Sequence, residues 1–356
     1  MRETPLSFDS SVMDAVREIE SSERRMTVVV DKENYLLGTL TDGDVRRHLL
    51  SGGQLTDLAT NAMNKKPITA NLGSSPEQIE FLMRKNNVIA LPIVTDDKKF
   101  VDLVHMIDIT RSKKHMKLPE NTFSFAVIMA GGEGNRLRPI TEEIPKPMIR
   151  IGDKPLLQYQ IENLARLGID KVFISINYLG HVIENYFGDG SAFGTEIIYV
   201  RENEKMGTAG SLALLPETPR TPFLVINGDV FTASNFDALF SFHLENNAEI
   251  TLGAIDYRVE IPYGVIETNG VHVRRLAEKP SHRFFCNAGI YAVSPSILNQ
   301  IPKNQMTNMT DIIDSCLSRG IKVCAFPIHE YWTDIGTPDD LQTAREVYAQ
   351  KELLNE

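Results

Sequence analysis

From residue 125 onward the chain alternates short apolar runs with stretches of helical period, and this alternation narrows its fold more than any other feature. The runs "FAVIMA", "VFISINY", "EIIYV", "FLVINGDV" and "EITLGAI" are rich in β-branched and aromatic residues, while "PLLQYQIENLARLG" repeats its apolar positions at helical spacing. Strands joined through helices form crossover units, which pair in parallel and bury both faces of their sheet. An Asn269-Gly270 turn inside "YGVIETNGVHVRRLAEKP" adds an antiparallel hairpin, followed by "NAGIYAV", the helix "TDIIDSCLSRG", the strand "VCAFPI" and a helix from Pro338. Residues 125–356 thus read as one α/β domain with a mixed, mostly parallel sheet.

The first 115 residues follow another rule. "MTVVVDKENYLLGTLTDGD" resembles "IALPIVTDDKKFVDLVHMID" at an offset of 64 residues, with Val30 over Val94 and Asp44 over Asp108. Each copy reads as a small αββα unit, its first helix in "VMDAVREIE" or "PEQIEFLMRK". One copy alone could hardly bury its sheet, so the two are expected to pack together. The copies span 1–60 and 61–115, and the basic, Pro-containing stretch "RSKKHMKLPENTFS" places a linker at 116–124.

Composition excludes some partners. A formal charge of −10 argues against a general nucleic-acid or anionic-membrane binder, so any anionic ligand must be met by local cations. No apolar run approaches the roughly 18 residues needed to cross a bilayer, and "MRETPLSFDS" lacks the apolar stretch of a signal peptide. A cytoplasmic protein is expected. Cys286, Cys316 and Cys324 form no CxxC pair and read as buried thiols.

Chemistry concentrates after "VIMA", where Ala130, Gly131, Gly132, Gly134 and Asn135 precede Arg136, Arg138 and Lys146. Glycines at the carboxyl end of a strand let main-chain N–H groups approach an anion closely. A bare strand-to-helix turn is the plain alternative. GxGxxG fails because Leu137 holds the third glycine's place, and no GK[ST] closes a P-loop. The remaining pattern, GGxGxRLxPxTxxxPKP, resembles the sugar-1-phosphate nucleotidylyltransferases, departing only at Asn135, where that family usually has Thr or Ser. Further matches follow in family order: "GTAGSL" at 207–212, "NGD" at 227–229, "YG" at 263–264, "EKP" at 278–280, "NAGIY" at 287–291 and "WTDIGTP" at 332–338.

The resemblance implies a nucleotidyltransferase, GT-A-like fold of Rossmann type and transfer of a nucleotidyl group from an NTP to a sugar 1-phosphate, releasing pyrophosphate. It implies Mg²⁺, with Mn²⁺ as an alternative, held by Asp229 and Asp334. Arg136 and Lys146 would hold the triphosphate; Gly207, Thr208 and Ala209 would lie on the nucleotide side. Gly264, Glu278, Asn287 and Gly289 would line the sugar, and Lys279 would hold its phosphate. A solvated strand end is the alternative for Glu278 and Lys279. Glu202 stands where thymidine- or uridine-using relatives commonly carry Gln. A carboxylate only accepts hydrogen bonds, which suits the adjacent N1–H and 2-amino donors of guanine, so GTP is expected. The alternative is a Glu202 that points to solvent.

The N-terminal repeat resembles a CBS domain pair, a module that often binds adenosine nucleotides and dimerises. Thr41 and Asp44 in "GTLTDGDV" match its ST-x-x-D pattern, and Asp108 remains in the second copy although His105 and Asp102 depart from it. Helix capping is the alternative for Asp44 and Asp108. The two modules together resemble the glucosamine-1-phosphate guanylyltransferases of legionaminic acid synthesis. That implies glucosamine 1-phosphate as acceptor and a homo-oligomer. Mannose-1-phosphate guanylyltransferase, glucose-1-phosphate thymidylyl- or uridylyltransferase, and an inactive nucleotide-sugar sensor are the rivals.

Overall fold

The computed structural model describes residues 5–22, 25–86, 88–106 and 122–353. The chain divides into two compact units, Met1–Pro119 and Glu120–Glu356.

In the first unit, helix Val12–Ser21 is followed by antiparallel strands Met26–Val30 and Leu36–Thr41 and by helix Asp42–Leu50. Helix Pro76–Asn86 and strands Ala90–Val94 and Phe100–His105 repeat the pattern. Each copy also gains a two-residue strand before its helix, Leu6–Ser7 or Ala70–Asn71, which completes a three-stranded sheet by parallel pairing. The pairing register slips at Val29/Val30 and again at Ile93/Val94, so even the irregularity recurs at the repeat offset. The copies share a core of Val28, Val30, Ala90, Phe100 and Leu103, and their hairpin turns are stitched together by Leu36 N to Lys98 O and Phe100 N to Asn34 O. Packing together is thus what buries each sheet.

The second unit is built on a seven-stranded sheet in the order Glu196–Arg201, Lys171–Ile176, Ala126–Met129, Phe223–Asn227, Ser281–Val293, Ile250–Glu260, Val323–Ile328. The first four strands are parallel; Ser281–Val293 runs against both its neighbours, and the last pair is parallel again. Apolar clusters cover both faces, one around Ile128, Ile174 and Ile290 and the other around Val127, Phe173 and Val225. Successive residues of one strand therefore serve opposite cores, which explains the continuous apolar runs. Beyond Ile255 the pair Ile250–Glu260 and Ser281–Val293 leaves the core as an exposed arm, joined by the hairpin Val265–Asn269 and His272–Ala277. Cys316 is buried, while Cys286 and Cys324 are half-buried.

Candidate active site

The strand Ala126–Met129 delivers the glycine turn to the carboxyl edge of the parallel strands, where ligands of open α/β sheets bind. No α-helix follows it. The chain instead makes three short 3₁₀ turns, Asn135–Leu137, Ile140–Glu142 and Lys146–Met148, so the turn offers loop amides rather than a helix terminus. The amides of Gly131, Gly132 and Gly134 have no acceptor among the described residues. Gly134 has φ +64°, and a side chain there would press on Thr141, whose hydroxyl donates to Gly134 O at 2.8 Å. Thr141 is fully buried, which fixes the loop from below.

Lys146, only 8% exposed, is the centre of the charge arrangement. Its Nζ donates to Asp229 Oδ2 at 2.5 Å and to Asp334 Oδ1 at 3.4 Å. Two acids more than a hundred residues apart therefore meet over one ammonium, their nearest oxygens within about 6 Å of each other. The topology enforces this: Gly228 and Asp229 form the turn between the strands Phe223–Asn227 and Val230–Thr232, and Val230 pairs with Asp334 in the small sheet Val230–Thr232 with Trp332–Asp334. Burial, then the charge of Asp229, raises the Asp334 carboxyl above the ordinary carboxylate range, against the pull of Lys146. The donor set suits a hard divalent cation, which would relieve a carboxylate pair only partly neutralised by the lysine. The Arg136 guanidinium lies against Gly336, two residues from Asp334, and has no ion-pair partner among the described residues. Arg138 is exposed beside it.

Glu202 turns towards the glycines, not to solvent. Its Oε1 accepts from the Ser175 hydroxyl at 2.5 Å, its Oε2 accepts from Met206 N at 3.0 Å, and a side chain at Gly131 would come within 3.0 Å of Oε1. Glu133 reinforces the contact: it pairs with Lys205 at 2.7 Å and accepts from Asn135 Nδ2 at 3.0 Å, and these partners hold its carboxyl below the usual range.

Residues 125–351 match the family described as Nucleotidyl transferase, and residues 1–51 and 56–115 match the CBS domain. The chain belongs to the nucleotidyl transferase family. It is 35% identical over 234 residues to a probable mannose-1-phosphate guanylyltransferase 1 of Oryza sativa subsp. japonica, covering 63% of this chain and 64% of the relative. A mannose-1-phosphate guanylyltransferase of Mycobacterium tuberculosis is 31% identical over 223 residues, covering 60% of this chain and 62% of that protein. The chain thus spans just under two thirds of the length of these relatives. The structure of HddC from Yersinia pseudotuberculosis superposes with a TM-score of 0.50 and 26% identity, over 63% of this chain and 98% of that one.

Other residues of the nucleotidyl transferase pattern are placed less directly. Gly207 has φ +75°, and a side chain there would meet Thr307 O at 2.6 Å; Ala209 N donates to that carbonyl at 2.9 Å, and the Thr208 hydroxyl accepts from Met309 N at 3.0 Å. These three anchor the loop to the 307–309 segment. Gly289, at φ +68°, lies against the Asn227 amide, while Asn287 donates to the Tyr291 hydroxyl at 2.8 Å and accepts from Gly289 N at 3.0 Å. Burial raises the Tyr291 hydroxyl pKa against the lowering hydrogen bond from Asn287, and the charge of Asp229 adds to the rise. Gly264 and Glu278 meet at the base of the exposed hairpin, and Lys279 sits there at φ +42°. No hydrogen bond or ion pair joins Glu278 or Lys279 to Lys146, Asp229 or Asp334 among the described residues.

In the N-terminal unit, Thr41 and Asp44 form a capping box. The Thr41 hydroxyl accepts from Asp44 N, Asp44 Oδ2 accepts from Thr41 N at 2.9 Å, and Arg47 pairs with Asp44 Oδ1 at 2.5 Å. His105 is buried at a strand end, and Asp108 lies outside the described residues. A different feature went unread in the sequence: a cleft of about 300 Å³ bounded by Leu36, Leu37, Val94, Lys65, Lys66 and Lys98. None of the three lysines has an ion-pair partner among the described residues. No helix among the described residues is long and apolar enough to cross a membrane.

Proposed function

We propose that the chain transfers a guanylyl group from GTP to a sugar 1-phosphate. The convergence of Asp229 and Asp334 on Lys146, beside a turn of unpaired glycine amides, is the observation that carries this reading. A sugar-phosphate oxygen attacks the α-phosphorus, the bond to the β-phosphate oxygen breaks, and pyrophosphate leaves with that electron pair. Such chemistry needs aligned anions and fixed positive charge rather than a protein nucleophile. The glycine amides and Arg136 would grip the triphosphate. Lys146 would shift from its acid partners towards the phosphates as they enter. Asp229 and Asp334 would hold Mg²⁺ or Mn²⁺, which when bound supplies charge neutralisation between the two substrates. Glu202, its carboxylate held at the glycine turn, supports guanine over uracil or thymine.

The sequence alone favoured glucosamine 1-phosphate through module order. The relatives reported above are named for mannose 1-phosphate, and mannose 1-phosphate is the acceptor the proposal adopts. A panel of GTP, dTTP, UTP and ATP against mannose, glucosamine and glucose 1-phosphates, with Mg²⁺, tests both choices by pyrophosphate release and product mass. Release from no pair sinks the enzyme reading and leaves a nucleotide-sugar sensor; release only from dTTP or UTP removes the role given to Glu202.

The N-terminal unit is proposed as the regulator, sensing an adenosine-type nucleotide or related anion and supporting a homo-oligomer. Its lysine-lined cleft supports this. Calorimetry with AMP, ADP, ATP and S-adenosylmethionine tests it; no heat from any at millimolar concentration would rule out a ligand of this class.

A further inference from the structure

Gln160 lies on helix Leu156–Arg166, is 7% exposed, and shares the helix's buried positions with Leu156, Leu157, Gln158, Ile161 and Leu164. Its amide nitrogen donates to Asn227 O at 3.0 Å and to Val230 O at 2.6 Å. These carbonyls flank Gly228 and Asp229, so one side-chain amide spans the turn that carries the acid. The turn's main-chain ties are Gly228 N to Met129 O at 2.8 Å and Ile335 N to Asp229 O at 3.0 Å, and Lys146 Nζ holds the Asp229 carboxylate itself at 2.5 Å.

Glycine at 228 is required by crowding, since a side chain would come within 2.7 Å of Met129 O. It also gives the chain most freedom beside the carboxylate whose direction matters. Lys146 restrains the carboxylate itself, and Gln160 restrains the main chain on either side of it. The Gln160 Oε1 is buried with no partner among the described residues, which disfavours the folded state and makes packing alone a poor reason for a glutamine at this place.

We propose that Gln160 is a positioning residue for the Asp229 carboxylate and through it sets the affinity of the divalent-cation site. The inference rests on Asp229 being a metal ligand. Gln158 supplies a matched control: it sits on the same helix, is 9% exposed, and spends its amide on Glu162 and the Tyr186 hydroxyl, away from the turn.

The experiment compares Gln160→Met, Gln158→Met and the unaltered full chain by equilibrium Mn²⁺ binding, read by electron paramagnetic resonance without nucleotide, and by melting temperature. Both variants are expected to melt lower. Only Gln160→Met should bind Mn²⁺ about tenfold or more weakly, the usual effect of removing a group that orients a metal ligand, and its Mg²⁺ requirement for turnover should rise in parallel. Wild-type Mn²⁺ affinity in Gln160→Met, or an equal loss in Gln158→Met, overturns the proposal. Should Gln160→Met not fold, Gln160→Asn gives the same reading, because it keeps the donor but cannot span both carbonyls. If the unaltered chain binds no Mn²⁺, or Asp229→Asn binds it equally well, the metal-ligand reading itself falls; that result is distinct from a Gln160 variant that leaves real binding unchanged.

Discussion

Glu202 is held by one donor on each oxygen, yet each oxygen can accept again. Replacing it with Gln preserves both contacts, because the amide oxygen can take Met206 N while the amide nitrogen donates to the Ser175 hydroxyl, itself able to accept. The substitution therefore changes what the site presents to a base without removing its support. Glu202→Gln is expected to lower kcat/KM for GTP by about 10–200-fold, the worth of roughly 1–3 kcal/mol, and to narrow the margin over UTP and dTTP; competition assays with mixed nucleotides measure both. Lys146→Met leaves two carboxylates facing without compensation, so the metal-free protein should melt lower and gain more from added Mg²⁺ than the parent. Its turnover should fall by about 10²–10³-fold, as for loss of a group stabilising transition-state charge. Asp229, Asp334 and Lys146 could be found from the sequence because each sits in a distinctive ordered motif. Gln160 and Ser175 could not, since one amide and one hydroxyl in apolar elements look like ordinary interruptions; the usable signal was a polar residue in the apolar register of "PLLQYQIENLARLG".

At the scale of elements, the alternation of strands and helices was legible because strands buried on both faces must be apolar throughout. The arm was not, since residues 256–260 and most of 281–287 are exposed and carry no period, and "NAGIYAV" alone suggested a strand half as long as Ser281–Val293. The buried link between helix Phe236–Glu245 and the sheet was equally hidden. His243, 1% exposed, sits between the hydroxyls of Thr251 at 2.9 Å and Ser294 at 3.1 Å, and burial pushes its pKa down from 6.5 to about 4. The folded-state value is the lower one, so between pH 6.5 and 4 the unfolded chain binds a proton that the native state refuses. Stability is retained above that window and lost as pH falls through it, by up to about 3 kcal/mol. Urea midpoints followed by Trp332, the chain's single tryptophan, report on this unit. His243→Asn should start less stable at pH 7.5 and lose less stability towards pH 4.5; a slope equal to that of the unaltered chain would assign the acid sensitivity elsewhere.

For the molecule as a whole, a chain of net charge −10 gathers around one cleft of its N-terminal unit three lysines with no ion-pair partner among the described residues. Like charges gathered this way repel, and an anion that bridges them removes the repulsion, so binding should raise the stability of that unit. The repeat was visible in the sequence because its apolar strands and aspartates recur at one offset, whereas this cleft was not: Lys65 and Lys66 come from the start of the second copy, ahead of its first strand, and Lys98 from its hairpin turn, positions that no motif connects. Thr41 and Asp44, which the motif did connect, are already bonded to each other. If the cleft is the sensing site, Lys65→Glu, Lys66→Glu and Lys98→Glu combined should abolish the thermal shift caused by AMP while leaving the shift caused by GTP with Mg²⁺ intact, since that ligand pair is assigned to the other unit. An AMP shift that survives the triple change, and instead disappears in Asp44→Ala, would return the ligand to the capping-box end of the repeat.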